Sequence, residues 1–169
     1  YGTGSAISTI AAEMFKLATG TPFVQVNYKG NPLAANDVMA NTITMMFLDT
    51  STAFPFIQGG KMKALAIAAG KRSEIFPDVP TVAESGASDI NITAWNAIWA
   101  PAGTPRPVID SFNAGMNAAR TLPDVQKKFR DLGLSLEGPG QRPEDLGNYT
   151  RSEIDFWKRM VAQFKIEVQ

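Results

Sequence analysis

Three short stretches of the chain combine glycine with hydroxyl or amide residues just ahead of apolar, helix-like segments. They are Gly2-Thr3-Gly4-Ser5, Tyr28-Lys29-Gly30-Asn31 and Asp49-Thr50-Ser51-Thr52. If the segments before them are parallel strands, all three junctions lie at the carboxyl edge of one sheet. A helix start there offers unpaired N–H groups and the positive end of a dipole. Several together form an anion site that needs no basic side chain. Gly4 allows close backbone approach, and Ser5, Ser51 and Thr52 add hydroxyl donors. Lys29 can pair with an anion or stand as a solvated turn lysine. Asp49 can accept from a ligand or cap the helix that follows it. Trp95 and Trp99 share strand parity, as core or as cleft wall. At each junction capping competes with ligand binding.

The composition removes whole classes of chemistry. There is no histidine and no cysteine, so the commonest general base, the commonest zinc ligand and thiolate chemistry are all missing. Glu13, Asp37 and Glu84 are isolated carboxylates with no second carboxylate tied to them by local spacing. No Gly-x-Ser-x-Gly elbow and no complete phosphate loop occurs. The expectation is no catalytic residue, no metal and no cofactor. Sixteen Lys and Arg balance sixteen Asp and Glu, and this neutrality argues against a nucleic-acid partner. No apolar run is long enough to span a bilayer.

The elements that must position these residues follow from periodicity. Residues 6–18 carry an apolar stripe through Ile7, Ile10, Ala11, Met14, Phe15 and Ala18, with Gly20 as the stop. Residues 23–27 read as a strand. Residues 32–39 read as a helix capped by Asn31, with Pro32 at its first position. Residues 43–48 read as a buried strand, 49–57 as a capped short helix, and 64–68 and 92–100 as further strands. Residues 70–89 are loop-rich. After the Pro101 to Pro105 break, helices are expected at 106–120, 122–132 and 143–164, with a strand-like 134–136 between the last two. Alternating strands and helices predict an α/β fold with a parallel-rich sheet. The opening Gly-rich turn has no Met, leader or strand before it, so the chain is read as a fragment.

An ordered set of motifs adds a resemblance. It comprises Tyr28-Lys29-Gly30-x-Pro32, Met46-Phe47, Gly60-Lys61-x-x-Ala64-Leu65-Ala66, and Pro77-Asp78-Val79-Pro80-Thr81-Val82-x-Glu84-x-Gly86. Trp95, Ala100-Pro101-Ala102-Gly103-Thr104-Pro105, Leu132-Gly133 and Glu153-x-x-x-Trp157 complete it. The set resembles the solute receptors of tripartite tricarboxylate transporters, the Bug family. That resemblance implies a type II periplasmic-binding-protein lobe in residues 1–96. Residues 97–169 would then be the crossover and the C-terminal helices of the partner lobe. It implies periplasmic localisation, a small carboxylate ligand held in a cleft between lobes, and delivery to integral membrane transporter subunits. Its carboxylate loops fall on Gly4-Ser5 and on Asp49 to Thr52, with Tyr28, Lys29 and Trp95 near the cleft. Where the family often has a His after the first loop, this chain has Ser8-Thr9. The alternatives are an interaction-only module without ligand, with possible self-association of the fragment, and a small α/β hydrolase.

Overall fold

The computed structural model describes residues 1–87, 90–138 and 142–164. The elements are β1 (Gly2–Thr3), α1 (Ala6–Thr19), β2 (Val26–Asn27), α2 (Asn31–Met39), α3 (Thr50–Gln58), α4 (Arg106–Arg120), α5 (Pro123–Asp131) and α6 (Pro143–Phe164). The fold is α/β with a small parallel sheet. The chain divides into two units. One holds Tyr1–Ala94 with Leu132–Leu134, and the other begins at Trp95 and contains α4, α5 and α6.

In the first unit, β1 is central. Gly2 pairs with Val26 of β2 in parallel register and forms a parallel bridge with Met46. A side chain at Gly2 would run into Ile43 and would come within 3.1 Å of Ala34. Glycine here suits the close approach of α2 and of the Ile43 side chain rather than a turn: an added methyl would oblige the end of Ile43 to move and Ala34 to give slightly. The core gathers around this point. Ile10, Ala34 and Ala35 are 0% exposed, and Ala11 and Ala12 lie beside them. Small residues on α1 and α2 let both helices sit close to β1. The Phe15 ring extends the core, 6.2 Å from Phe23 and 5.9 Å from Phe47. Ile7, expected in the apolar stripe of α1, is exposed, and Ser8 and Ala12 are buried instead.

Helix ends were more predictable than strands. Gly20 ends α1 in the left-handed conformation, its N–H bonded to the Lys16 carbonyl at 2.8 Å. The expected strand at 43–48 reduces to the single bridge at Met46, because β1 offers only two residues to pair with. The expected strand at 64–68 reduces to one bridge between Ile67 and Thr81. Residues 92–100 and 134–136 form no strand: the Ile92 N–H donates to the Ala68 carbonyl at 2.9 Å, but no ladder continues from that bond among the described residues. Of the 70–89 loop, residues 88–89 lie outside the described residues. The rest is tied by Arg72, whose Nε donates to both Glu84 oxygens at 3.1 and 2.9 Å, and by a reciprocal Thr81–Glu84 pair.

The second unit is built differently. None of α4, α5 and α6 carries a fully buried residue. Its most specific tie is polar and aromatic. The Glu153 Oε2 atom accepts from the indole N–H of Trp95 at 3.0 Å and from that of Trp157 at 3.3 Å. Trp95 also meets Tyr149 edge to face, with centroids 5.4 Å apart. The Arg106 pairs with Asp110 and Glu144 are exposed, and such pairs contribute little. No helix among the described residues is long and apolar enough to cross a membrane.

A core-deletion pair tests this map. Ile10→Ala should lower unfolding free energy by about 2–5 kcal/mol in a denaturant titration. Leu17→Ala, on the exposed face of the same helix, should change it by less than about 0.5 kcal/mol.

Candidate functional site

The parallel pairing of Gly2 with Val26 and with Met46 sends three chain segments the same way. The starts of α1, α2 and α3 follow those segments at one edge of the sheet. Two of the starts touch. A side chain at Gly4 would collide with the backbone of Gly30 and Asn31. None of the three helices has an acidic residue in its first turn.

At the start of α1, Ser5 is the N-cap. Its hydroxyl accepts from the Ser8 N–H at 3.2 Å, and the Ser8 hydroxyl oxygen accepts from the N–H groups of Gly4 and Ser5, each at 3.1 Å. This is a capping box with serine in the place usually taken by Glu or Gln. It uses the very N–H groups of Gly4 and Ser5 that sequence reasoning offered to an anion. The signal was present as Ser5-x-x-Ser8, but serine is not the residue usual at the third helical position of a capping box.

At the start of α2 the expected cap was Asn31. The cap is Gly30, which makes no side-chain cap bond, and Asn31 is the first helical residue. Pro32 therefore falls at the second helical position, where its missing N–H is still one that the helix leaves unpaired. Tyr28, half-buried, donates its hydroxyl to Asp37 Oδ2 at 2.6 Å. That bond, with burial and the Asp37 charge behind it, raises the phenol above its usual range. It also gives Asp37 a partner, in place of the acid–base role it could have been assigned. Lys29 is exposed at the same turn.

At the start of α3, Asp49 is the N-cap. Its Oδ1 accepts from the Ser51 hydroxyl at 2.7 Å and from the Thr52 N–H at 2.9 Å. Burial alone would raise the Asp49 carboxyl. The bonds from Ser51 and Thr52 outweigh it and hold the carboxyl below its usual value. Ser51 and Thr52 are half-buried, held toward Asp49.

Gly4, Ser5, Tyr28, Lys29, Asp49, Ser51 and Thr52 all belong to the first unit. Trp95 belongs to the second, where Glu153 takes its N–H. Among the described residues there is no group of His, Cys, Asp and Glu arranged to hold a metal ion.

This architecture is that of periplasmic binding proteins. The chain is similar to the periplasmic binding protein BugD, at 29% identity and a TM-score of 0.77, over 99% of this chain and 57% of that one. It is also similar to MatC from Rhodopseudomonas palustris, solved with bound malate, at 29% identity and a TM-score of 0.72, over 91% of this chain and 53% of that one. A protein encoded in the ttuE–ttuC′ intergenic region of Agrobacterium vitis is 33% identical over 163 residues, 96% of this chain and 47% of its own length. The family model described as tripartite tricarboxylate transporter family receptor matches residues 1–165, and the chain belongs to that family. The family is one of receptors, so the hydrolase alternative falls away. The chain spans about half the length of most of the curated relatives it matches, 48% and 47% for two of them, and 96% of the length of another.

The Asp49 cap gives a pH test. A carboxyl with a depressed folded-state pKa stabilises the fold above its unfolded value, and the gain is lost as pH falls through the folded value. Asp49→Asn keeps an acceptor at the cap and removes only the charge, so it should cost about 0.3–1 kcal/mol near neutrality. The gap between the two proteins, measured by denaturant unfolding, should close as pH drops below about 4. A gap that stays constant down to the lowest accessible pH would rule out the cap as its source.

Proposed function

We propose that this chain is the ligand-capturing part of a periplasmic receptor. The receptor holds a small carboxylate-containing metabolite in a cleft and delivers it to the integral membrane subunits of a tripartite transporter. The observation that carries the reading is the parallel pairing of Gly2 with both Val26 and Met46, which sets three helix starts at one sheet edge. Their dipoles add, and no acidic residue stands in the first turn of α1, α2 or α3.

The capping bonds sharpen which start does what. The α3 dipole already faces the Asp49 carboxylate, so a second anion gains least there. The α2 start has no side-chain cap and lies against Gly4, which makes the α1–α2 junction the better seat for a carboxylate. Lys29, exposed at that junction, supplies a compact positive charge. The Ser51 and Thr52 side of α3 then faces the polar, uncharged part of the ligand. With its N–H engaged by Glu153, Trp95 has only ring surface to offer a ligand. The malate held by MatC, a relative at 29% identity, supports the carboxylate class.

Isothermal titration of the full-length receptor against malate and other small di- and tricarboxylates is the test. At least one should bind saturably, its uncharged amide analogue should not, and Lys29→Ala should weaken the binding several-fold, as expected for loss of about 1 kcal/mol of charge pairing. A folded receptor that binds no member of the panel would sink the reading.

A further inference from the structure

Gly133 follows α5 in sequence, yet the segment Leu132–Leu134 packs with the first unit. Gly133 is buried, and its φ is +68°. A side chain there would place its Cβ 2.6 Å from Phe54 Cβ, 2.9 Å from Phe54 Cγ and 3.1 Å from the Thr50 carbonyl oxygen. Thr50 and Phe54 are four residues apart, on one face of the opening turns of α3. The Gly133 backbone therefore rests directly on the start of that helix, one residue past the Asp49 cap.

Two constraints coincide at this residue. A positive φ alone can be met by Asn or tolerated at modest cost. Gly20, Gly60, Gly86 and Gly103 also have positive φ, and a side chain at any of them would meet nothing within 4 Å. Gly133 differs because the left-handed turn is pressed against helix backbone and an aromatic ring. That ring is fixed from another side, with the Phe76 centroid 6.0 Å away.

We propose that Gly133 is a positioning residue for α3: the Leu132–Leu134 segment braces the first turn of that helix and so sets the geometry of the Asp49-Thr50-Ser51-Thr52 loop. The inference rests on the reading of that loop as part of the carboxylate site. It assigns a binding-geometry role to a residue more than seventy positions away in sequence that touches no ligand.

The test uses the full-length receptor, with amide hydrogen exchange and malate titration measured on the same samples. Gly20→Ala is the control for left-handed strain alone, since its φ of +65° matches and the site is open. Gly133→Ala should speed exchange at the Thr52 and Ala53 amides well beyond the control. It should also weaken malate binding several-fold, the loss expected when a hydrogen bond to the uncharged polar part of the ligand is misaligned. Gly20→Ala should leave malate affinity unchanged. If Gly133→Ala does not fold, Phe54→Leu removes the ring that Gly133 rests on without adding atoms, and it carries the same expectation in weaker form. Exchange no faster than in the control overturns the brace. Faster exchange with unchanged malate affinity overturns the role of α3 in binding. Failure of the unmodified receptor to bind any carboxylate overturns instead the reading on which the inference stands.

Discussion

Gly2 sits where β1, α2 and residue 43 converge, and it pairs with two parallel neighbours at once. A larger residue would have to displace the end of the Ile43 side chain and press on Ala34, where the segments that carry the three helix starts meet. The alanines at 34 and 35 on α2 and at 11 and 12 on α1 answer the same need, since small side chains let helices lie close to a short sheet. Packing at this one point decides the direction of three segments and therefore the edge on which the polar loops collect.

The loops are well satisfied by their own chain. Ser8 closes the α1 start, Asp49 the α3 start, and Asp37 holds Tyr28. A site of this kind is preorganised: its donors are oriented before a ligand arrives, and little ordering remains to be done on binding. On the proposed reading the work divides among the three junctions. Where a carboxylate already caps the helix, the local field is spent. Where glycine caps it without a side-chain bond, the field remains for a bound anion.

Each unit is stabilised internally by its own means. The first has a small apolar core around Ile10. The second relies on half-buried contacts and on the Glu153 carboxylate that gathers two indole N–H groups. Trp95 shows what sequence could not tell. Its parity with Trp99 was consistent with core or cleft wall, and its partner proved to be Glu153, 58 residues away. Gly133 is similar. Leu132-Gly133 reads as a helix stop, and the helix does stop at Asp131. Nothing local indicates that Phe54 and Thr50 crowd the same glycine.

The sequence alone determined the helices, with Gly20 and Asp49 at their ends, the 106–120 span and the start at 143. It also determined the α/β class and the receptor family. Helix hydrogen bonds and caps close within three or four residues, so their signals lie side by side in the chain. Tertiary structure alone decided how far the strands run, which serine closes the first loop and which N–H groups it uses, where Trp95 is engaged and why position 133 must be glycine. A strand exists only through a partner, a cap can be outbid by its neighbours, and a close approach is set by whatever arrives from elsewhere in the chain. Those outcomes depend on distances between residues that the sequence keeps far apart.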